Sequence, residues 1–182
     1  MNLGKRGPFV LVGHSYGGFL VRLFARRHPA DVEGVVLVDS VEEEAFFSPA
    51  AVKRRGVIGR ELQDARSKAK SPAEARFYDE VLDELGSNRL VPTNVRKAGG
   101  FGRLGDLPLT VIAHGKPFGG DDAVLEPGWR EAQQRLAKLS TRGKLTVAEQ
   151  SGHNIQATEP GLIVDAVYEV VQQARTTAPV RP

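Results

Sequence analysis

The sequence predicts an α/β fold, with one mostly parallel sheet of about four strands and helices packed against it. Three observations point there. Residues 9–12 are four apolar residues that run through a glycine-rich turn into the apolar, helix-forming residues 19–25. Val35-Val36-Leu37-Val38 is a continuous apolar run, the mark of a strand covered on both faces, as in a parallel sheet. Strand-like and helix-like segments then alternate with short joins, and each strand–helix–strand unit reads as one right-handed crossover.

Size and composition bound the rest. A chain of 182 residues can bury one core and is too short for two full domains, so residues 1–182 are read as a single domain. Apolar residues make up 41% of it, enough to fold. No apolar run approaches the length of a membrane span, and residues 1–8 are too short and polar for a signal peptide. With no cysteine, disulfides and thiolate chemistry are excluded, and a cytoplasmic location is expected. The net charge is +3, but basic clusters such as Arg26-Arg27 and Lys53-Arg54-Arg55 are interleaved with acids. They read as solvated helix faces, so neither nucleic acid nor membrane is expected as a partner.

The elements follow in order. Residues 9–12 read as a buried strand. The helix after it carries Phe19, Leu20, Leu23 and Phe24 at the spacing of a core stripe. It ends in Arg26, Arg27 and His28, cations suited to a helix C-terminus, before Pro29 stops it. Residues 35–38 form the second strand and lead to Asp39-Ser40. In residues 41–103 the pattern becomes charged and helical, with helices over 50–68 and 71–85. Ser71-Pro72-Ala73-Glu74 is a helix-start signature, and Phe77, Val81, Leu82 and Leu85 make an apolar stripe. Glu42, Glu43 and Glu44 read as surface. A loop with four glycines, residues 97–105, returns to a third strand over 107–113. A loop holding Asp121 and Asp122 precedes a helix over 127–139 with Trp129, Ala132, Leu136 and Leu139 inward. A fourth strand over 144–148 runs into Ser151-Gly152-His153-Asn154. A last helix begins near Pro160, capped by Thr158, and residues 176–182 are a loose tail.

Gly13-His14-Ser15-Tyr16-Gly17 carries the chemistry. A Gly-x-Ser-x-Gly sequence between a strand and a helix is the context of a nucleophile elbow. The sharp turn lifts the Ser15 hydroxyl clear of the backbone, and Gly13 and Gly17 are expected to let neighbouring elements approach. Here the chain resembles the α/β-hydrolase fold family, specifically its small-molecule esterase and peroxidase-like members with a lid. The resemblance runs from residue 9 to about residue 173. It implies that residues 41–103 are a helical lid over the active site, and that the chain corresponds to the C-terminal half of the fold.

A serine hydroxyl needs a base to take its proton. Four histidines are available. His28 ends a helix, His14 is expected to point away from Ser15, and His114 ends a strand, where it is packed or supports the site. His153 lies on the loop after the final strand, a place and motif that resemble the family's catalytic histidine loop. Sites in parallel sheets gather at the carboxyl ends of strands, so Ser15 and His153 can meet. The resemblance places the acid after one of two strands, giving either Asp39 or the Asp121/Asp122 pair. Asp39 is favoured because it abuts its strand and is rigidly held.

The family's full fold has about four further strands before the elbow, and they supply a second oxyanion donor. In this chain only residues 1–8 stand there, which leaves the backbone N–H of Tyr16 as oxyanion donor and residues 9–12 as an exposed edge. The expectation is a shortened, weakly active serine hydrolase. It would cleave a small-molecule ester, thioester or amide through an acyl-enzyme, needing neither metal nor organic cofactor, with an edge strand open to self-association. The alternative is a catalytically impaired binding or regulatory module on the same scaffold.

Overall fold

The computed structural model describes residues 7–97 and 99–177; most of the polar lead-in and residues 178–182 of the tail lie outside the described residues. In chain order the elements are β1 (Phe9–His14), α1 (Gly17–Arg27), β2 (Val32–Val38), α2 (Glu43–Phe47), α3 (Pro49–Ser67), α4 (Pro72–Ser87) and α5 (Leu90–Lys97). There follow β3 (Leu109–His114), α6 (Glu126–Ala137), β4 (Gly143–Ala148), α7 (Ile155–Thr158) and α8 (Pro160–Thr177). The four strands form one all-parallel sheet in the order β1-β2-β3-β4. One row across it runs Val12, Val36, Thr110, Lys144.

The apolar run in β2 has the cause that its composition implies. Val35 and Leu37 face a layer that includes Ala25 of α1 and Leu136 of α6. Val36 and Val38 face Ala166 and Val170 of α8 on the other side. All four are at most 1% exposed. Burial of each such side chain contributes about 1.5–3 kcal/mol, so the central strand anchors both helical layers.

Three sequence expectations change. The strand at residues 9–12 lies at a sheet edge, as one expectation had it, and for that reason is not the buried strand its composition suggested: β1 ends the strand order and Val12 is 46% exposed. The inward stripe of α1 is Gly18, Phe19, Arg22 and Ala25, whereas Leu20 and Phe24 are exposed. Arg22 can be buried because Glu43 of α2 pairs with it at 2.9 Å and the Phe101 ring lies 4.5 Å from its guanidinium carbon. Glu42 and Glu43 are likewise not simple surface. The Glu42 carboxylate caps α2 by accepting from the Glu44 and Ala45 amides, and it accepts from Arg135 at 2.7 Å.

The segment between β2 and β3 holds two helices, α2 and α5, beyond those the pattern suggested. α3 starts where Ser48 accepts from the Ala51 amide, with Pro49 at the first helical position. Ser71 accepts from the Glu74 amide to start α4, but the Glu74 carboxylate reaches back to the Lys70 amide instead of closing a reciprocal box. Phe77 is 59% exposed and leaves the expected stripe. Thr158 ends α7 instead of capping the last helix, and α8 extends to Thr177, into what reads as tail.

Candidate active site

Four polar side chains meet at the carboxyl ends of the four strands, one from each. Ser15 follows β1, Asp39 follows β2, His114 ends β3, and His153 lies on the loop after β4. Parallel strands bring these ends together whatever the sequence separation.

Two tight turns set the geometry. Ser15 has φ +51° and Asp39 has φ +41°, both in the left-handed region that side chains other than glycine rarely adopt. Such a conformation costs on the order of 1–3 kcal/mol and persists where the surroundings hold it. Here the Ser15 amide donates to the Val38 carbonyl at 3.1 Å, the Val41 amide donates to the Ser15 carbonyl at 3.0 Å, and the Asp39 amide donates to the Ile112 carbonyl at 2.7 Å. The two turns are thus bonded to each other and to β3.

The close approach at the first turn lies at Gly13 and Gly18, not Gly17. A Cβ on Gly13 would stand 2.8 Å from the Gly17 carbonyl oxygen, and one on Gly18 would stand 2.5 Å from the Ser40 Cβ. A Cβ on Gly17 meets nothing within 4 Å. Gly18→Val is therefore expected to lower stability by about 1–3 kcal/mol through overpacking, while Gly17→Ala is neutral or better, alanine being the stronger helix former. Denaturant melts of the two variants check this; equal losses would contradict it.

The hydrogen bonds run in a line. His153 Nε2 is 3.0 Å from Ser15 Oγ, and His153 Nδ1 is 2.6 Å from Asp39 Oδ2. Asp39 is fully buried and accepts on both oxygens. Oδ2 also accepts from His114 Nδ1 at 2.8 Å; Oδ1 accepts from Trp129 Nε1 at 2.9 Å and from the His114 amide at 3.2 Å. Burial alone would push this carboxyl up; the bonds from His114, His153 and Trp129 and the charge on His114 outweigh it, holding Asp39 well below the ordinary carboxylate range. Asp39 is thus ionised at any ordinary working pH and accepts from His153 Nδ1–H, which leaves His153 Nε2 as the ring nitrogen facing the serine hydroxyl.

Asp121 and Asp122 do not join this line. Asp122 is drawn toward α3, where Arg54 donates to it at 2.6 Å, and Asp121 is exposed. His28 stays at the end of α1, paired loosely with Asp31 at 4.0 Å. His14 departs from its expected orientation: its Nε2 donates to the His153 carbonyl at 3.0 Å and its ring centroid lies 4.7 Å from that of His153, so it ties down the histidine loop. The Tyr16 amide, next after Ser15, has no acceptor among the described residues. No cluster of three or more His, Asp or Glu among the described residues has the geometry to hold a metal ion, and no helix among them is long and apolar enough to cross a membrane.

Ser15 and His153 open onto a cavity of about 410 Å³, in the range of small-molecule sites. One wall comes from α2 and α3, with Phe46, Ala51 and Ile58; the other comes from Phe118, Leu125 and Trp129. Arg54 in the wall is neutralised by Asp122 and Glu61. Arg55 is not: it donates to the Phe46 carbonyl at 2.7 Å and its guanidinium carbon stands 4.0 Å from the Phe46 ring centroid, with no carboxylate within ion-pair distance among the described residues.

The model of the alpha/beta hydrolase family matches residues 2–166. Among curated proteins, the chain is 24% identical over 166 residues to the uncharacterized protein YqjL of Bacillus subtilis, covering 90% of this chain and 56% of that one. It is 24% identical over 187 residues to an uncharacterized protein of Schizosaccharomyces pombe, covering 91% of this chain and 34% of the other. The chain thus spans little more than half the length of the first relative and a third of the second. Among solved structures it is similar to a probable hydrolytic enzyme of Pseudomonas aeruginosa, with TM-score 0.58, 18% identity and coverage of 94% of this chain and 65% of that one. It is also similar to a thermophilic esterase of Thermogutta terrifontis, with TM-score 0.53, 18% identity and coverage of 95% and 68%. At these identities the likeness is one of fold.

Proposed function

Since the chain belongs to the alpha/beta hydrolase family, we propose that it is a serine hydrolase that cleaves a small carboxylic ester, thioester or amide through an acyl-enzyme. The observation that carries this reading is the unbroken hydrogen-bond line from Ser15 Oγ through His153 to a buried, ionised Asp39.

Each residue then has one role. Ser15 Oγ attacks the substrate carbonyl carbon while His153 Nε2 takes its proton. Asp39 holds the ring by Nδ1 and stabilises the imidazolium that forms. The Tyr16 N–H, with no acceptor among the described residues, donates to the developing oxyanion. The imidazolium returns its proton to the leaving group as the carbonyl–heteroatom bond breaks. Water, deprotonated by the same histidine, then attacks the acyl carbon; the acyl C–Oγ bond breaks as the imidazolium returns the proton to Ser15 Oγ, releasing the acid. Residues 41–103 act as the lid, because α2 and α3 supply one wall of the cavity in front of Ser15.

The apolar cavity walls fit a short acyl or alkyl group, and Arg55, half-buried without an acid partner, favours a substrate carrying a carboxylate. Stopped-flow hydrolysis of p-nitrophenyl butyrate and of the mono-p-nitrophenyl ester of glutaric acid tests both points. An initial burst of nitrophenolate matching the enzyme concentration is expected, with the lower KM for the glutarate ester and loss of that difference in Arg55→Gln. Absence of any hydrolysis would point instead to a binding module on the same scaffold.

A further inference from the structure

We infer that His114 and Glu126 are positioning residues for the proposed reaction, completing the acid as a three-member cluster, Asp39–His114–Glu126, that carries one net negative charge toward His153. The inference rests on the serine-hydrolase reading above.

Asp39 Oδ2 accepts from two imidazoles at once, His153 at 2.6 Å and His114 at 2.8 Å. The far nitrogen of His114, Nε2, meets Glu126 Oε2 at 3.0 Å. His114 is 5% exposed, so no solvent exchange relieves this arrangement. Both of its ring nitrogens face carboxylate oxygens, and an oxygen that only accepts requires an N–H on each side. His114 is therefore an imidazolium. Burial opposes that charge, but the bonds and charges of Asp39 and Glu126 outweigh it and raise the ring's pKa. Glu126 is held ionised in turn: burial pushes it up, and the Phe118 amide at 3.1 Å, together with His114 and Arg130, pulls it below the ordinary range.

The charge count follows. A cation against Asp39 would cancel the carboxylate that must stabilise the His153 imidazolium in the transition state. Glu126 restores the balance, leaving Asp39 (−1), His114 (+1) and Glu126 (−1). The other groups facing His114 are the Trp129 indole, whose N–H goes to Asp39, and the Phe118 ring, 4.7 Å between centroids. Arg130 reaches Glu126 at 3.4 Å on the outer side, where its side chain is exposed. The cation thus locks Asp39 Oδ2 in place, and the outer carboxylate keeps that lock from neutralising it. A plain packing role would not need the second carboxylate.

The two arms make opposite predictions. The readout is the rate at which a fluorophosphonate probe modifies Ser15 between mildly acidic and mildly basic pH, in wild type, Glu126→Gln, Glu126→Asp and His114→Gln. Glu126→Gln takes away negative charge, so the rising limb of the profile should move to lower pH by at least about 0.5 unit, the scale of one charge several ångströms away at intermediate dielectric, and the plateau rate should fall. His114→Gln takes away positive charge, so the limb should move to higher pH. Glu126→Asp keeps the charge and should leave the limb in place. Shifts of the same sign in Glu126→Gln and His114→Gln, or no shift in either with folded protein, overturn the inference. Ring NMR of His114 reads the cluster apart from the chemistry: an imidazolium at pH 7 in wild type is expected, and a neutral ring overturns the inference even if Ser15 reacts. If Ser15 takes no probe in wild type but His114 is an imidazolium, the hydrolase reading fails, and with it the catalytic role given to the cluster.

Discussion

Asp39→Asn is expected to lower kcat by about 10⁴-fold, the size of effect seen when a triad aspartate becomes asparagine in a serine protease. The physical reason is local. Asp39 accepts four hydrogen bonds and donates none: two imidazole Nδ1–H groups, one indole N–H and one amide N–H converge on it. An asparagine must turn its NH₂ toward one pair of these donors. Facing the histidines, it would force His153 into the tautomer with the proton on Nε2, which cannot take the serine proton. Facing Trp129 and the His114 amide, it would leave two buried donors unpaired at about 1–3 kcal/mol each. Activity should therefore collapse with a smaller fall in stability, and Asp121→Asn and Asp122→Asn should leave kcat within a few-fold. An assay of all three at matched folded fraction checks the order; an Asp122 effect larger than that of Asp39 would reject the assignment.

Ser15→Ala is expected to lower kcat by about 10⁶-fold, because nucleophile and base work as one unit and removal of either removes nearly the whole chemical contribution. Its fold should survive. The tight turn is held by backbone bonds from the Ser15 amide to Val38 and from Val41 to the Ser15 carbonyl, neither of which uses the hydroxyl. Alanine still bears a Cβ at φ +51°, so no new strain enters. Thermal denaturation should place the variant within about 1 kcal/mol of wild type, as is usual where no buried contact is lost. A variant that loses activity only because it unfolds would say nothing for the nucleophile, so the two measurements belong together.

Much of the fold could be read from residue type because local pattern and tertiary burial agree there. The apolar run of β2 is continuous because helices cover both its faces. Ser15 and Asp39 were legible as candidates because each directly follows a strand, and His153 because its loop after the last strand resembles the family's histidine loop; a parallel sheet gathers those ends. What could not be read depends on partners distant in the chain. Glu42 and Glu43 look like solvent-facing charge until Arg135 and Arg22 are placed against them. For the same reason Arg22, not Leu20 or Phe24, occupies the buried face of α1. Of the two expected close approaches, Gly13 is crowded, but Gly17, which the motif also names, is not; the second crowding falls on Gly18, where Ser40 arrives just past β2. His14 had no signal of its own, and His114 read only as a strand-ending residue that is packed or supports the site; their contacts appear only when the loops after β3 and β4 and the start of α6 converge. A hint lay in position, since His114 ends a strand as Asp39 follows one.

The account turns on Ser15 as the activated nucleophile, and the site of covalent reaction with a fluorophosphonate probe tests that most directly. Ser40 and Ser151 are useful internal controls: both are fully buried, Ser40 donates to the Gly13 carbonyl at 2.7 Å, and Ser151 donates to Glu159 at 2.5 Å, with no histidine against either hydroxyl among the described residues. Mass spectrometry of the digested adduct should find a single modified peptide carrying Ser15, and the adduct should vanish in Ser15→Ala. An adduct on Ser40 or Ser151, or labelling that persists in Ser15→Ala, would contradict the account.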